Sequence, residues 1–275
     1  MATKSGKIPP RAPDKALSVR SVKLTIAYDG TRFKGWQKGN GRTVQDVLEL
    51  AILAAMPSAS GGTLAVGTYS AEQLHFLGAG RTDAGVHAEN QTASAVIPLG
   101  TDLERLLRAA NEKLPPDVSI LNIVSAPERF HARYHAKKRT YRYSIILGAI
   151  GNPFKANYSW HIPKELDLAA MRKAASLLEG THDFTSLTAD KSKSNRIRTI
   201  YEIRVDRQEQ NLELFFTADS FLWNQVRIMT MLLVQAGHGE LREDDIVALL
   251  EAKNRSLAPE PAPAKGLALY SVEYE

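Results

Sequence analysis

A chain of 275 residues that is 44% hydrophobic and 24% charged has the composition of a folded globular protein, either one large domain or two smaller ones. It contains no cysteine, which excludes disulfide scaffolds, thiolate zinc sites and cysteine nucleophiles and is compatible with a reducing compartment. The formal charge of +5 is unevenly placed: Lys4, Lys7, Arg11, Lys15 and Arg20 face one acid, Asp14, so four of the five surplus charges lie in the first twenty residues. No apolar run reaches the ~20 residues of a membrane span, and the N-terminus lacks the apolar core of a secretory signal; a soluble cytoplasmic protein is expected.

Residues 1–18, with Pro9, Pro10 and Pro13 among lysines, cannot bury a core and read as a disordered basic tail. Val22 to Tyr28 alternates as a strand and stops at the turn signal Asp29-Gly30. Thr43 is placed to cap an amphipathic helix that carries Val44, Val47, Leu48, Ala51 and Ile52 on one face. Residues 58–70 read as a loop or hairpin leading to a strand near Gln73–Leu77. A strand at Gln91–Ile97, a helix at Leu103–Leu114 closed by Pro115-Pro116, and a strand at Ser119–Val124 complete a first half.

The second half repeats this grammar. It opens with a strand at Tyr141–Leu147 and a helix at Asp167–Glu179, with Asp167 as its N-cap and Gly180 as its stop. Strands follow at about Thr199–Asp206 and Asn211–Ala218, then a long apolar helix at Phe221–Ala236. A short acidic helix at Glu243–Ala252 and a strand at Leu267–Tyr274 end the chain. Strand–helix–strand–strand–helix–strand order, run twice, predicts an α+β fold in two halves, 19–126 and 127–275, with helices packed on largely antiparallel sheet.

Three basic stretches contain no acid: Arg32, Lys34, Lys38 and Arg42; Lys191, Lys193, Arg196 and Arg198; and Arg129 to Arg142, with Arg133, Lys137, Lys138 and Arg139 between. A single run of this kind is ordinarily a solvated face, but three in a near-neutral body predict charge segregated onto one side, the field that a polyanion needs. Gly80-Arg81-Thr82-Asp83-Ala84-Gly85-Val86-His87-Ala88 lies between two expected strands, where a loop is held by rigid elements and glycines allow close approach. His131 and His135 have the spacing of metal ligands on a helix, but their surroundings are Arg-rich with no third ligand in view, so no metal is expected.

The Gly80–Ala88 string resembles the catalytic signature of the tRNA pseudouridine synthase A (TruA) family, and further blocks agree in order. Tyr28-Asp29-Gly30-Thr31 with Gly35-Trp36-Gln37 is similar to the family's opening, and Thr43-Val44-Gln45 to its first helix. Phe130-His131-Ala132-Arg133 and Arg139-Thr140-Tyr141-Arg142-Tyr143 are similar to its middle motif, Gly180-Thr181-His182-Asp183-Phe184 and Ala264-Lys265-Gly266-Leu267 to its later blocks. In Phe221-Leu222-Trp223-Asn224-Gln225-Val226-Arg227 the chain differs from the common bacterial form, which has His-Met before Val-Arg, and Asn90 stands where glycine is usual.

The resemblance implies two ferredoxin-like (RRM-like) halves with a catalytic cleft between them, and isomerisation of uridine to pseudouridine at about positions 38–40 of the tRNA anticodon arm. It implies a cytoplasmic homodimer that uses no cofactor or metal. Asp83 would be the catalytic carboxylate, acting either at C6 of the base or at the sugar C1′. Arg227 would hold it ionised and Tyr141 would stack on the target base. Arg81 would fill the space left by the extruded base, with Thr82 and Leu267 also at the substrate. Arg133, Lys137, Lys138 and Arg139 would grip phosphates. The chemistry suits one carboxylate, since breaking C1′–N1 and joining C1′ to C5 needs neither a redox partner nor net hydrolysis. A non-catalytic RNA-binding module would leave an arginine on an apolar helix and a glycine-framed Asp83 without purpose, and a glycosidase ordinarily needs a second carboxylate.

Overall fold

The computed structural model describes residues 18–39, 41–56, 69–190 and 195–275. The expected basic tail and most of the expected loop at 58–70 lie outside the described residues. Among the described residues, ten strands form one sheet: β1 (Val19–Tyr28), β2 (Leu77–Gly78), β3 (His87–Pro98), β4 (Val118–Ser125), β5 (Lys138–Leu147), β6 (Trp160–Ile162), β7 (Gly180–Asp183), β8 (Ile197–Gln208), β9 (Asn211–Ala218) and β10 (Leu267–Glu273). The main path runs β4-β1-β3-β10-β5-β9-β8-β7, with β2 on β3 and β6 on β5. Alternation puts Val22, Leu24, Ile26 and Tyr28 of β1, and Tyr141, Tyr143 and Ile145 of β5, into the core under the helices. The helices are α1 (Val44–Ala55), α2 (Ala71–Leu74), α3 (Leu103–Asn111), α4 (Leu168–Leu178), α5 (Gln225–Gly237) and α6 (Glu243–Ala252). None is long and apolar enough to cross a membrane.

Thr43 and Asp167 cap α1 and α4 with their side chains, accepting from Asp46 N–H and from Ala169 and Ala170 N–H. The mixed α+β architecture with a mostly antiparallel sheet is the expected one, but the two halves share a single sheet. The last strand does this: β10 lies between β3, to which it is parallel, and β5, to which it is antiparallel, with Ala268 opposite His87 and Leu267 opposite Tyr143. The chain end therefore brings the loop before β3 beside β5.

Three expectations are corrected. The strand expected near Gln73–Leu77 is mostly the helical turn α2, because Ser70 and Gln73 form a reciprocal capping box; only Leu77–Gly78 pairs as strand. The helix expected from Phe221 begins at Gln225. Asn224 is left-handed (φ 61°), and the Leu222 N–H donates to Gln225 Oε1, which holds 219–224 as a loop at the helix mouth. The helix expected to run to Glu179 ends at Leu178 with Glu179 as its C-cap; Gly180, the expected stop, follows in the left-handed region (φ 98°) and opens β7 opposite Ile200.

Candidate active site

The loop 79–86 is fixed from several sides. Ala79 O accepts from Arg139 Nε and Nη2 (3.2 and 3.0 Å), and Gly80 O accepts from Gln91 Nε2 (2.9 Å). Thr82 Oγ1 lies 2.7 Å from the buried Tyr28 hydroxyl, and Thr82 O accepts from Trp36 N–H (3.1 Å). The segment 30–36 lies against it so closely that a Cβ on Gly30 would stand 2.0 Å from Val86 O. One on Gly35, which has φ 95°, would stand 2.8 Å from Thr82 O. The opening motif therefore supplies a wall for the Asp83 loop.

Asp83 follows at the loop's apex with its side chain about a quarter exposed, its Oδ2 3.8 Å from Arg227 Nη1. Burial pushes the Asp83 carboxyl above its ordinary range; the Arg227 guanidinium and the Trp223 indole N–H pull the other way without cancelling it. Arg227 stands in the first turn of α5. Its Nε donates to Ala262 O (2.6 Å) and its Nη1 to Asn224 Oδ1 (3.0 Å), so the guanidinium is aimed before any ligand arrives. Tyr141 on β5 is buried, its ring edge-on to Phe221 at 5.3 Å, and its phenol pKa is raised by burial and by the nearby Asp83 charge. Leu267, also buried, opens β10 opposite Tyr143, whose hydroxyl donates to Pro263 O (2.7 Å). Residues remote in sequence thus meet across β10: Asp83 before β3, Tyr141 on β5 and Arg227 on α5.

A separate cavity of about 460 Å³, lined by Asp29, His87, Asp117, Arg142 and Tyr158 among others, includes none of these three residues.

Arg81 and Thr82 flank Asp83 differently: Arg81 is exposed, Thr82 is buried and committed to Tyr28. Arg133, Lys137 and Lys138 are exposed, Lys138 with Glu273 3.8 Å away. Arg139 does not join them. It is buried, and its guanidinium donates to the carbonyls of Ala79, Asp219 and Arg133, tying the Asp83 loop to the ends of β5 and β9. Replacing it leaves buried carbonyls without donors, so Arg139→Ala is expected to lower unfolding free energy by about 2–4 kcal/mol. Urea unfolding checks this; a loss under about 0.5 kcal/mol, the ordinary surface value, contradicts it.

The acid-free runs are also less free than their sequence. Arg32 and Arg42 both pair with Asp117 (2.9 and 3.2 Å), Lys38 pairs with Glu49, and Arg142 with Glu89 and Glu213. His131 Nδ1 accepts main-chain N–H from Arg133 and Tyr134. Gln91 and, from the segment in which the chain differs from the common bacterial form, Phe221, Trp223 and Asn224 complete the surroundings, though none was given a role from sequence. Only the left-handed Asn224, a residue tolerant of that conformation, carried a signal of its own.

A family model described as tRNA pseudouridine synthase matches residues 24–135 and 174–275. The chain belongs to that family. It is similar to "tRNA pseudouridine synthase A" of Limosilactobacillus reuteri (strain DSM 20016), 43% identical over 258 residues that cover 92% of this chain and 96% of that protein. The protein of the same name from Bacillus subtilis (strain 168) is 39% identical over 256 residues, 92% of this chain and 99% of its own. That of Thermoanaerobacter sp. (strain X514) is 36% identical, covering 93% and 100%. Among solved structures, a Cbf5-Nop10-Gar1 complex matches at 10% identity with a TM-score of 0.33, covering 78% of this chain and 44% of that chain.

Proposed function

We propose that this chain isomerises uridine to pseudouridine in the anticodon arm of tRNA, at about positions 38–40, with Asp83 as the catalytic carboxylate. The observation that carries the reading is the convergence of Asp83, Arg227 and Tyr141 from three separate segments, in a chain of this family. The C1′–N1 bond breaks, the base turns, and C1′ joins C5. The proton on C5 is lost to solvent and N1 takes one up, so atoms and electrons balance without a redox partner. Asp83 acts as its anion, at C6 or at C1′, and Arg227 favours that anion inside a partly desolvated cleft.

Uridine inside a stacked arm must be extruded first. The Tyr141 ring would then stack on the extruded base and exposed Arg81 would occupy the gap it leaves. Thr82 and Leu267 border the base, while Arg133, Lys137 and Lys138 contact phosphates. Arg139 would shape the cleft instead of touching RNA. The working form is a homodimer acting in the cytoplasm, with halves 19–126 and 127–275 supplying Asp83 and the Tyr141–Arg227 pair respectively.

The test is tritium release from tRNA transcripts carrying C5-tritiated uridine. Release approaching the number of uridines at positions 38–40 is expected; no release above a no-enzyme control overturns the reading.

A further inference from the structure

Many basic residues of this chain are answered by acids from elsewhere, but two arginines at one end of the sheet are not. Arg139 Nη2 donates to Arg133 O (2.7 Å) and Arg139 Nη1 to Asp219 O (2.6 Å), while Asp219 N–H donates to Thr199 O (3.2 Å). These bonds gather Arg133, the start of β5, the end of β9 and the start of β8, where Arg198 stands. Arg198 is half-buried. Its Nη1 donates to the carbonyls of Asn195 and Ile197, whereas its Nε is buried with no hydrogen-bond partner. Among the described residues neither Arg133 nor Arg198 makes an ion pair, and residues 191–194, Lys-Ser-Lys-Ser, add no carboxylate.

Like charges gathered in this way are unfavourable unless an anion joins them. Burial and the Arg133 charge lower the pKa of Arg198; Asp219 opposes them, its Oδ1 already accepting from Ser220 N–H and Oγ. The loop that leaves Asp219 runs directly to Phe221, against Tyr141, and to Trp223, beside Asp83. An anion held between the two arginines therefore lies a short step from the reacting group.

We infer that Arg133 and Arg198 together form a phosphodiester subsite that grips the RNA backbone next to the extruded nucleotide. The inference rests on the tRNA reading above and adds Arg198 to it. A guanidinium fork suits a phosphate because two N–H groups meet two oxygens; exposed Arg133 presents such a fork, and the half-buried Arg198, held by the carbonyls of Asn195 and Ile197, fixes a second guanidinium beside it.

The experiment uses full-length protein and unmodified tRNA transcript, with Arg133→Gln, Arg198→Gln, Arg198→Lys and the double Gln variant. Lys164→Gln serves as a control for generic loss of charge; it is exposed and precedes Glu165, which pairs with Arg207 near the far end of β8. Each Gln variant is expected to weaken binding about fivefold to tenfold near 0.1 M salt. The slope of log affinity against log salt should fall by about 0.7–0.9 for each phosphate that is no longer neutralised. The tritium-release assay should show KM rising by a larger factor than kcat falls. Arg198→Lys should restore the slope but only part of the affinity, because a point charge replaces a fork.

Unchanged slopes in both single variants, or an equal effect from Lys164→Gln, overturn the subsite. Wild-type protein that binds tRNA but releases no tritium sinks the functional reading instead. In that case a reduced slope in the arginine variants still supports an RNA-phosphate site.

Discussion

Asp83→Asn is expected to reduce tritium release from tRNA by about a thousandfold or more while leaving tRNA affinity within about threefold of wild type, because the amide keeps the shape of the carboxylate but can act neither as nucleophile nor as base. Activity above a few per cent of wild type contradicts the assignment. The same substitution has a stability signature of opposite sign. Burial raises the folded-state pKa of Asp83 above its unfolded value of roughly 3.9, so the native state binds this proton more tightly than the unfolded chain. Ionising Asp83 therefore costs stability. The cost is absent below the unfolded pKa, grows as pH rises, and is complete above the raised folded pKa. Asp83→Asn should show a higher urea midpoint than wild type at neutral pH, with the difference shrinking towards zero as pH falls to about 4 and below. A variant that is less stable than wild type at neutral pH would show that the carboxylate is anchored by its neighbours rather than held against desolvation.

Arg227→Ala carries the second large effect. Removing the guanidinium 3.8 Å from Asp83 Oδ2 leaves a partly buried carboxylate without its cation and takes the donor from Ala262 O. Loss of a preorganised cation beside the reacting carboxylate is expected to lower kcat/KM by about 10²–10³, and the broken pair, whose carboxylate is about a quarter exposed, is expected to lower stability as well. Because the Arg227 charge lowers the Asp83 pKa, its loss must move that pKa up. With Asp83 acting as its anion, as proposed, the acid limb of the pH–rate profile should shift to higher pH in the variant. Arg227→Lys should recover part of the shift but less of the rate, since an ammonium cannot hold the Ala262 and Asn224 hydrogen bonds in one plane. An Arg227→Ala protein with an unmoved acid limb and near-wild-type kcat/KM contradicts the role given to this residue.

Local pattern was readable where local physics governs. The α6 boundaries follow the sequence expectation, and strands β1, β5, β8 and β9 contain their expected cores, because alternation, caps and turn residues act within a few residues of one another. The Gly80–Ala88 string was legible through its resemblance and its place between strands, but its own glycines do not make the close approach: a Cβ on Gly80 or Gly85 would meet only Tyr141 and Ala264 at 3.7 and 3.4 Å, and it is Gly30 and Gly35 that let segment 30–36 press against the loop.

What depended on distance in sequence was hidden. Nothing in Leu267–Glu273 announces that it will pair with β3 on one side and β5 on the other, yet this insertion brings Tyr141 to Asp83. The basic runs were misleading for the same cause: Asp117 neutralises Arg32 and Arg42 from 85 and 75 residues away. Arg139 reads as one cation among six and is instead a buried clamp on three carbonyls. Charge counted along a chain is a poor guide to charge exposed on a fold, because tertiary pairing costs little where acids lie close by. Arg133 and Arg198, from two different basic runs, stood out as a pair only once the neutralised cations around them were subtracted.

The decisive measurement maps pseudouridine, nucleotide by nucleotide, in unmodified tRNA transcripts after incubation with wild-type protein and with Asp83→Asn in parallel. Pseudouridine is expected at uridines among positions 38, 39 and 40 with wild type, and none with the variant. Pseudouridine confined to another arm, no pseudouridine at all, or the same pattern from Asp83→Asn contradicts the proposed activity and the role of its carboxylate.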